Sequence, residues 1–212
     1  MHRAKFITFE GGEGAGKSTQ AERLARHLRA HGRDVLVTRE PGGSPFAERV
    51  RDLLLDQAAS VRTPLAEALL FYAARADHLS ATIRPALARG TWVLCDRFAD
   101  STRAYQGAAS GVDRELLSRL ERMVVSPTRP DLTVILDLDP AVGLARAAVR
   151  RAAGTTHDAF EGRPRAFHDR LRRAFLEIAQ AEPLRCAVVP ADAPIDTIEA
   201  EIWTHVRERL LS

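Results

Sequence analysis

The stretch "GGEGAGKST", residues 11–19, follows the apolar run "FITF", residues 6–9, and precedes a segment with the pattern of a helix. It matches the phosphate-loop pattern Gly-x4-Gly-Lys-Ser/Thr without a mismatch. Glycines permit dihedral angles that turn backbone amides inward, so such a loop forms a nest for phosphate oxygens. The helix that follows adds the partial positive charge of its N-terminus. The stretch therefore predicts a strand, a loop and a helix that together bind phosphate groups.

Individual residues of this loop have predicted roles. Lys17 can reach the β- and γ-phosphates of a nucleotide, and the Ser18 hydroxyl can hold Mg²⁺. A chance glycine-rich turn is the weaker interpretation, because the strand before the loop and the helix after it are the context that the motif requires. The residues predicted to bind ATP are Gly11, Gly12, Glu13, Gly14, Ala15, Gly16, Lys17, Ser18 and Thr19.

A phosphate loop alone leaves three function classes open: a small-molecule kinase, a GTPase switch and an ATPase motor or regulator. The GTPase class needs an Asn-Lys-x-Asp motif, which cannot exist here because Lys5 and Lys17 are the only lysines of the sequence. A motor would usually show an apolar strand that ends in Asp-Glu. The two candidate strands end instead as "VLCDRF" and "VILDLDP", which favours the kinase.

Composition bounds the remaining classes. The chain has 212 residues, of which 45% are hydrophobic and 28% charged, and this fits one globular domain over residues 1–212. A net charge of +3 is too small to argue for nucleic acid. Cys95 and Cys186 lack the spacing of a metal site or a disulfide framework. Because neither a signal peptide nor a membrane-spanning apolar run is present, we expect a cytoplasmic protein without a membrane partner.

The apolar pattern predicts the fold. Short, uniformly apolar runs alternate with longer amphipathic segments, as in parallel sheets that are covered by helices on both faces. We therefore predict the α/β, three-layer P-loop NTPase fold, with about five parallel strands and a short lid. The predicted strands are 6–9, 35–38, 91–96, 132–139 and 186–190. The predicted helices are 17–31, 44–55, 64–79 with a continuation to about Arg89, one that begins with the cap Asp139 and Pro140, 164–182 and 194–211.

The segment "DRFADSTRAYQ", residues 96–106, is rich in polar side chains and begins where a predicted strand ends. Asp96 can orient Mg²⁺ or its waters, and Arg97 can bind an acceptor phosphate through two hydrogen bonds. Ser101, Thr102 and Gln106 can read the polar edge of a base, and Tyr105 can close against a sugar. The alternative is a polar loop that caps a helix through Asp100 or Ser101.

Three other stretches carry weaker signals. Phe71 and Arg75 share a helix face, where they can stack on a base and bind its edge, although a core Phe beside a surface Arg is the commoner case. Glu10 ends the first strand, where it can accept hydrogen bonds from a sugar hydroxyl or balance the charge of Lys17. Arg39 of "TREPGG" ends the second strand, and the alternative for it is a plain loop with a solvated ion pair.

An arginine-rich, glycine-containing segment, residues 147–165, is typical of a mobile lid. Arginines that such a lid delivers would stabilise charge on the transferring phosphoryl group and exclude water. The alternative is a solvated helix end in a chain that uses Arg almost exclusively as its basic residue. The arginines in and beside this segment are Arg146, Arg150, Arg151, Arg163 and Arg165.

Together these stretches resemble the bacterial thymidylate kinase family, in order and over nearly the whole chain. The matching motifs are "FEGGEGAGKST", "TREPGG", "FYAAR", "DRFADSTRAYQ", "RPDLTVILDLDP" and the lid. The resemblance implies transfer of the γ-phosphate of ATP to dTMP with Mg²⁺, usually in a homodimer, and metal ligation by Ser18 and Asp96. The dTMP site that it implies comprises Glu10, Arg39, Pro41, Leu54, Phe71, Arg75, Arg97, Ser101, Thr102, Tyr105 and Gln106.

The resemblance also bears on the catalytic arginine, which family members carry either in the phosphate loop or in the lid. Glu13 and Ala15 are not basic, so we expect the lid to supply it, with Arg150 and Arg151 as candidates beside the catalytic Lys17, Asp96 and Arg97. The lid departs from the family's Asp-Arg-x-Glu, because residues 158–161 read Asp-Ala-Phe-Glu. This departure keeps an ATP-binding regulatory protein without transfer activity as an alternative. A P-loop kinase for another nucleotide or nucleoside is the other alternative. The candidate dimer helices are 65–79 and 116–125.

Overall fold

A computed structural model describes residues 3–56, 62–152, 160 and 162–211 of the chain. In this part of the chain five strands form one sheet in the order β2-β3-β1-β4-β5, and every adjacent pair is parallel. The predicted α/β fold with a parallel sheet is therefore confirmed. The strands are β1 (Phe6–Gly11), β2 (Val35–Arg39), β3 (Trp92–Asp96), β4 (Leu132–Asp137) and β5 (Cys186–Pro190).

The helices cover the two faces of this sheet. They are α1 (Lys17–Ala30), α2 (Pro45–Leu55), α3 (Pro64–His78), α4 (Arg84–Ala88), α5 (Ala99–Thr102), α6 (Arg114–Val125), α7 (Pro140–Ala152), α8 (Arg165–Ala181) and α9 (Ile195–Leu210). Two π-helical segments were not predicted: Leu79–Ile83 joins α3 to α4, and Arg103–Ala109 continues α5. A π-helical turn changes the hydrogen-bond partner by one residue and leaves the apolar pattern almost unaltered, so the sequence reads as an ordinary helix.

A side-chain cap followed by a proline begins both α2 and α7. The Ser44 hydroxyl accepts a hydrogen bond from the Ala47 amide at 3.4 Å, and Pro45 follows at the first helical position. The predicted cap Asp139 accepts the Ala141 amide at 2.8 Å, again with a proline next in the chain. Such caps satisfy amides that have no partner inside the helix, which is why these helices begin where they do.

The alternation of side chains along the central strand β1 separates two cores. Ile7 and Phe9 are buried against α1 and α9, where Leu24 and Ile202 also lie. Phe6 faces the opposite side with the core that contains Leu79, Ile83, Val93 and Phe98, and Thr8 and Glu10 follow it on that face at alternate positions. Glu10 therefore enters the layer that holds α3 and α5 rather than the layer of α1.

Both cysteines are free thiols and buried. Burial is the largest cause of the raised pKa of each, and the pKa of Cys186 rises to about 11. Both side chains are thus buried thiols with little thiolate character, and neither takes part in a disulfide. Within the described ranges, none of the helices combines the length and the apolar character needed to cross a lipid bilayer.

Candidate active site

The phosphate loop connects the end of β1 to α1 and turns on glycines. Gly11, Gly14 and Gly16 have φ angles of 132°, 67° and 90°, which side chains with a Cβ rarely adopt. Lys17 is buried, and its ammonium donates to the carbonyl oxygens of Gly11 at 3.2 Å and Gly12 at 2.8 Å. Burial and the nearby Arg97 charge lower the pKa of Lys17, while acidic neighbours oppose that shift. The strand, loop and helix thus follow in the predicted order.

The two residues predicted to hold Mg²⁺ meet at the mouth of this loop. Ser18 lies at the second position of α1, and its hydroxyl donates to an oxygen of Asp96. Asp96 is the last residue of β3, whose register places it beside Arg39 of β2 and Phe9 of β1. The two side chains come together because the carboxyl ends of adjacent parallel strands meet at one edge of the sheet.

Arg97 follows in a tight turn and links the loop to the polar segment after β3. Its guanidinium donates to Glu13 at 2.8 Å, to the Gly11 carbonyl at 3.1 Å and to the Ser101 hydroxyl at 3.3 Å. The same guanidinium lies 4.9 Å from the centre of the Tyr105 ring, and the Tyr105 hydroxyl also donates to Glu13. The loop residue Glu13 thereby orients two side chains of the predicted acceptor site.

Glu13 is buried and ionised. Burial on its own would raise the pKa of this carboxyl, but the charges of Arg97 and Lys17 outweigh burial and lower the pKa to about 2. The sequence placed Glu13 only among the residues that bind ATP. Its contacts with Arg97 and Tyr105 span more than eighty positions of the chain, so no local pattern indicated them.

The side chain of Glu10 makes contacts that the sequence did not indicate. Its side chain is fully buried, and it is absent from the lining of the cavity described below. One carboxyl oxygen accepts the backbone amides of Phe98 at 2.8 Å and Ser101 at 3.2 Å, and the other lies 2.6 Å from the Ser101 hydroxyl. Direct contact with a sugar hydroxyl is therefore not what this geometry favours, because the carboxyl is engaged with the turn after β3.

Arg75 on α3 is 1% exposed and sits in a network of buried groups. Its Nε donates to Glu40 at 2.7 Å, and one Nη donates to the Phe98 carbonyl at 3.0 Å and to the Thr102 hydroxyl at 3.1 Å. Glu40 also lies 3.0 Å from the ring of the buried His78. The other nitrogen, Nη1, has no hydrogen-bond partner among the described residues. Arg75 is thus not the surface arginine of the alternative interpretation.

One cavity of about 360 Å³ joins the phosphate loop to α3 and the segment after β3. It is lined by the predicted residues Glu13, Gly14, Gly16, Lys17, Ser18, Thr19, Arg39, Pro41, Leu54, Phe71, Arg75, Asp96, Arg97, Ser101, Thr102, Tyr105, Gln106 and Arg150. The sequence did not assign Glu40, Arg51, Leu55, Phe98 and Phe160 to the site, although they line it too. Glu40 follows Arg39 at the end of a strand, and this position could have indicated it as a residue of the site. Gly11, Gly12, Ala15 and Glu10 do not line this cavity.

Two predicted ligands have partners that the sequence did not indicate. Arg39 lines the cavity but is exposed and forms an ion pair with Glu48 of α2, at 3.0 Å, as in the alternative interpretation of this loop. The Gln106 amide lies 3.5 Å from the buried Glu67 of α3, to which Arg163 also extends at 3.9 Å. Binding of an anion by Arg39 would thus compete with Glu48.

The predicted lid lies partly outside the described residues, which exclude 153–159 and 161 and with them the Ala159 departure. Arg150, near the end of α7, lines the cavity, whereas the side chain of Arg151 is not described. Arg146 donates to the Ala191 carbonyl at 3.0 Å beside β5, so it belongs to the body of the fold. Phe160 is buried with its ring centre 5.1 Å from that of Tyr105, and it closes one wall of the cavity.

Comparison with known proteins gives a consistent result. A family model described as thymidylate kinase matches residues 9–202. The chain is 56% identical to the thymidylate kinase of Caulobacter vibrioides over 210 residues, covering 99% of both chains. It is 52% identical over 209 residues to that of Bradyrhizobium diazoefficiens, covering 99% of this chain and 91% of the relative. The crystal structure of thymidylate kinase from Ehrlichia chaffeensis superposes with a TM-score of 0.77 at 35% identity, covering 96% and 98% of the two chains.

Proposed function

Because the chain belongs to the thymidylate kinase family, we propose that the cavity at the carboxyl edge of its sheet binds ATP and dTMP together. The protein phosphorylates dTMP in nucleotide biosynthesis, and ATP is the donor that this family uses. The observation that carries the assignment of the site is the continuity of one cavity from Lys17 and Ser18 of the phosphate loop to Phe71 and Arg75 of α3. A donor's phosphates and an acceptor's base then lie at its two ends.

Arg75 supports an acceptor whose base carries a carbonyl oxygen. Its Nη1 is a buried donor without a partner among the described residues, and an unpaired buried donor is unfavourable until a ligand satisfies it. The O4 oxygen of thymine is such an acceptor, whereas the 4-amino group of cytosine would place a donor against a donor. Phe71 lines the same part of the cavity and offers a flat face to the base.

Arg97 is the group that we assign to the acceptor phosphate. A guanidinium matches two oxygens of a phosphate through parallel hydrogen bonds, and Glu13 and Tyr105 hold this one at the border between the loop and the acceptor side. A phosphate monoester has its second pKa at about 6, so its attacking oxygen is already ionised and no general base is required. Catalysis is then a matter of positioning and of charge stabilisation by Lys17, Arg97 and Arg150.

Ser18 and Asp96 fit a Mg²⁺ ion, since both offer oxygen ligands and their side chains are in contact at the mouth of the loop. Bound there, Mg²⁺ would supply charge neutralisation for the donor's phosphates. Arg150 and Arg151 stay the candidates for the lid arginine, and the position of Arg150 on the cavity wall supports the former.

An acceptor panel tests the proposed site. We expect ADP release from Mg-ATP to be stimulated by dTMP and far less by dCMP, CMP, GMP, AMP or thymidine, while dUMP is accepted to a degree set by the missing methyl group. A comparable rate with dCMP would contradict the role of Arg75. Binding of ATP without acceptor-dependent turnover would instead support a regulatory protein that has lost transfer.

We also propose a homodimer that pairs the face formed by α2, α3 and α6. Neighbouring helices of this face expose large apolar side chains: Phe46 at 42%, Leu53 at 45%, Leu65 at 42%, Leu69 at 48% and Met123 at 74%. Adjacent apolar side chains of this kind mark protein interfaces, and symmetric dimers are the commonest assembly. We expect light scattering to give twice the chain mass, Leu69→Glu to lower it, and Leu184→Glu, at a 94% exposed site elsewhere, to leave it unchanged.

A further inference from the structure

The backbone at Arg97 is in the left-handed region. Its φ is 66°, and it is the one non-glycine residue among those described that has a positive φ. A side chain with a Cβ disfavours this conformation, so it persists only where the surroundings hold it. The turn begins with a hydrogen bond from the Arg97 amide to the Phe9 carbonyl at 2.9 Å, which fixes one side of it to β1.

Glu10 holds the other side of this turn. The two amides that it accepts belong to Phe98, directly after Arg97, and to Ser101, in the first turns of the helix that follows. Its second oxygen lies 2.6 Å from the Ser101 hydroxyl, which in turn lies 3.3 Å from the Arg97 guanidinium. One buried side chain therefore anchors both the backbone that follows Arg97 and a group that contacts its guanidinium.

We propose that Glu10 is a positioning residue for the acceptor phosphate: it holds the left-handed Arg97 turn and does not touch the substrate itself. The inference rests on the proposed role of Arg97 as the phosphate ligand. It explains why a carboxyl stands near the end of a strand that is buried throughout and in which Phe6, Ile7 and Phe9 are hydrophobic. It also explains why Glu10 is fully buried although it lies beside the cavity.

The protonation of Glu10 indicates which variant conserves its function. Burial and the nearby Asp100 raise the pKa of this carboxyl to about 8, against opposing contributions from Ser101, Arg97 and the Phe98 amide. The raised pKa favours the neutral acid near neutral pH. One carboxyl oxygen accepts the two amides, and the other accepts from the Ser101 hydroxyl, a group that can also accept a hydrogen bond from an O–H or N–H. Glutamine has the same shape and the same distribution of one acceptor and one donor group.

Calorimetric binding of dTMP and of thymidine to the full chain tests the proposal, because only dTMP carries the phosphate. We expect Glu10→Ala to weaken dTMP about 10-fold, the loss typical of a hydrogen bond to a charged group, and thymidine by less than about 2-fold. Glu10→Gln should restore dTMP binding to near the wild-type value. Thr8 lies on the same strand and face as Glu10, and its hydroxyl is 2.8 Å from that of Thr133. The control Thr8→Val removes this contact and should bind both ligands as the wild type does.

Other outcomes overturn either the inference or its premise. Equal weakening of dTMP and thymidine in Glu10→Ala would show a merely structural role for Glu10. If that variant does not fold, Glu10→Asp, whose carboxyl lies one methylene farther from the amides, should show the same selective loss, and unchanged dTMP binding would refute the proposal. Arg97→Ala tests the proposed function separately from the role of Glu10. If this variant still binds dTMP more tightly than thymidine by the wild-type factor, Arg97 is not the phosphate ligand, whatever the Glu10 variants show.

Discussion

Lys17 is the residue on which charge stabilisation at the loop depends most directly. Its ammonium is buried between two loop carbonyls, at the place where a donor's phosphates would bind. We expect Lys17→Ala to lower kcat by about 10²- to 10³-fold, as for the loss of one preorganised charge-stabilising donor in other active sites, with the fold intact. Steady-state turnover at saturating ATP and dTMP measures this, and circular dichroism checks the fold.

Lys5 offers a matched control, because it is the only other lysine of the sequence. It lies 3.7 Å from Asp131 at the start of β1, on the edge of the sheet away from the loop. Lys5→Ala should leave turnover unchanged, since a partly exposed ion pair of this kind contributes little. Equal turnover in the two variants would contradict the role assigned to the phosphate loop.

Among individual residues, the sequence predicted those that belong to a short motif or a strand end. It missed the roles of residues whose partners are distant in the chain. Lys17 and Ser18 are defined by a nine-residue motif, and Asp96 by its place at a strand end. For Glu10 the sequence alone indicates either a sugar hydroxyl or the charge of Lys17 as a partner. Its amide partners, Phe98 and Ser101, lie 88 and 91 positions away, so no local pattern points to them. Only the parallel pairing of β1 with β3 brings those groups together, and pairing cannot be read from either strand alone.

Among the elements, the strands were predictable because each contains a short apolar run that is bounded by polar or turn residues. The register of β3 between β1 and β2 then follows from the fold and not from the strand's own sequence. The two π-helical segments were not predictable, and both adjoin α3 or α5, which carry the acceptor side of the cavity. Their departure from the α-helical repeat redirects side chains such as Tyr105 and Gln106, and such departures are frequent at functional sites.

A close contact between α7 and the phosphate loop leads to an element-scale prediction. A Cβ on Gly143 would clash with the Glu13 carbonyl oxygen, and one on Gly14 would clash with the Gly143 carbonyl, both far inside contact distance. Gly143→Ala must therefore displace either the helix or the loop. Because small misplacements in an active site are costly, we expect turnover to fall by about 10-fold or more.

The neighbouring Val142 is the control for this substitution, because it is 41% exposed on the same helix. Val142→Ala should preserve turnover and change the melting temperature little, as surface substitutions usually do. KM values for ATP and dTMP distinguish a displaced loop, which affects ATP first, from general destabilisation. Wild-type kinetics in Gly143→Ala would show that α7 and the loop separate without functional cost.

The stability of the whole molecule should fall on the acid side through carboxylates that are ionised in the fold. The pKa of Glu13 is lowered to about 2 by Arg97 and Lys17 against burial, and the pKa of Glu182 to about 2 by Arg185 and Arg103, again against burial. A carboxyl with a depressed pKa stabilises the fold above its unfolded pKa, and this contribution is lost as pH falls through the folded value. In urea, the free energy of unfolding should decrease between about pH 5 and about pH 3. This decrease should be smaller in Glu182→Gln, which lacks one of the two carboxyls.

The pKa of Glu10 is shifted in the opposite direction, so this residue should lower the stability of the fold as pH rises. Its pKa is about 8 in the fold and near 4.5 in the unfolded chain, so between these values the folded state binds the additional proton. The free energy of unfolding should therefore decrease with pH across this window, with a slope from this group that approaches about 1.4 kcal/mol per pH unit. Glutamine does not titrate, so the unfolding free energy of Glu10→Gln should rise relative to that of the wild type as pH increases from about 5 to about 8. Parallel stability curves for the two proteins would contradict a neutral Glu10, and with it the expectation that glutamine replaces this residue at the Arg97 turn.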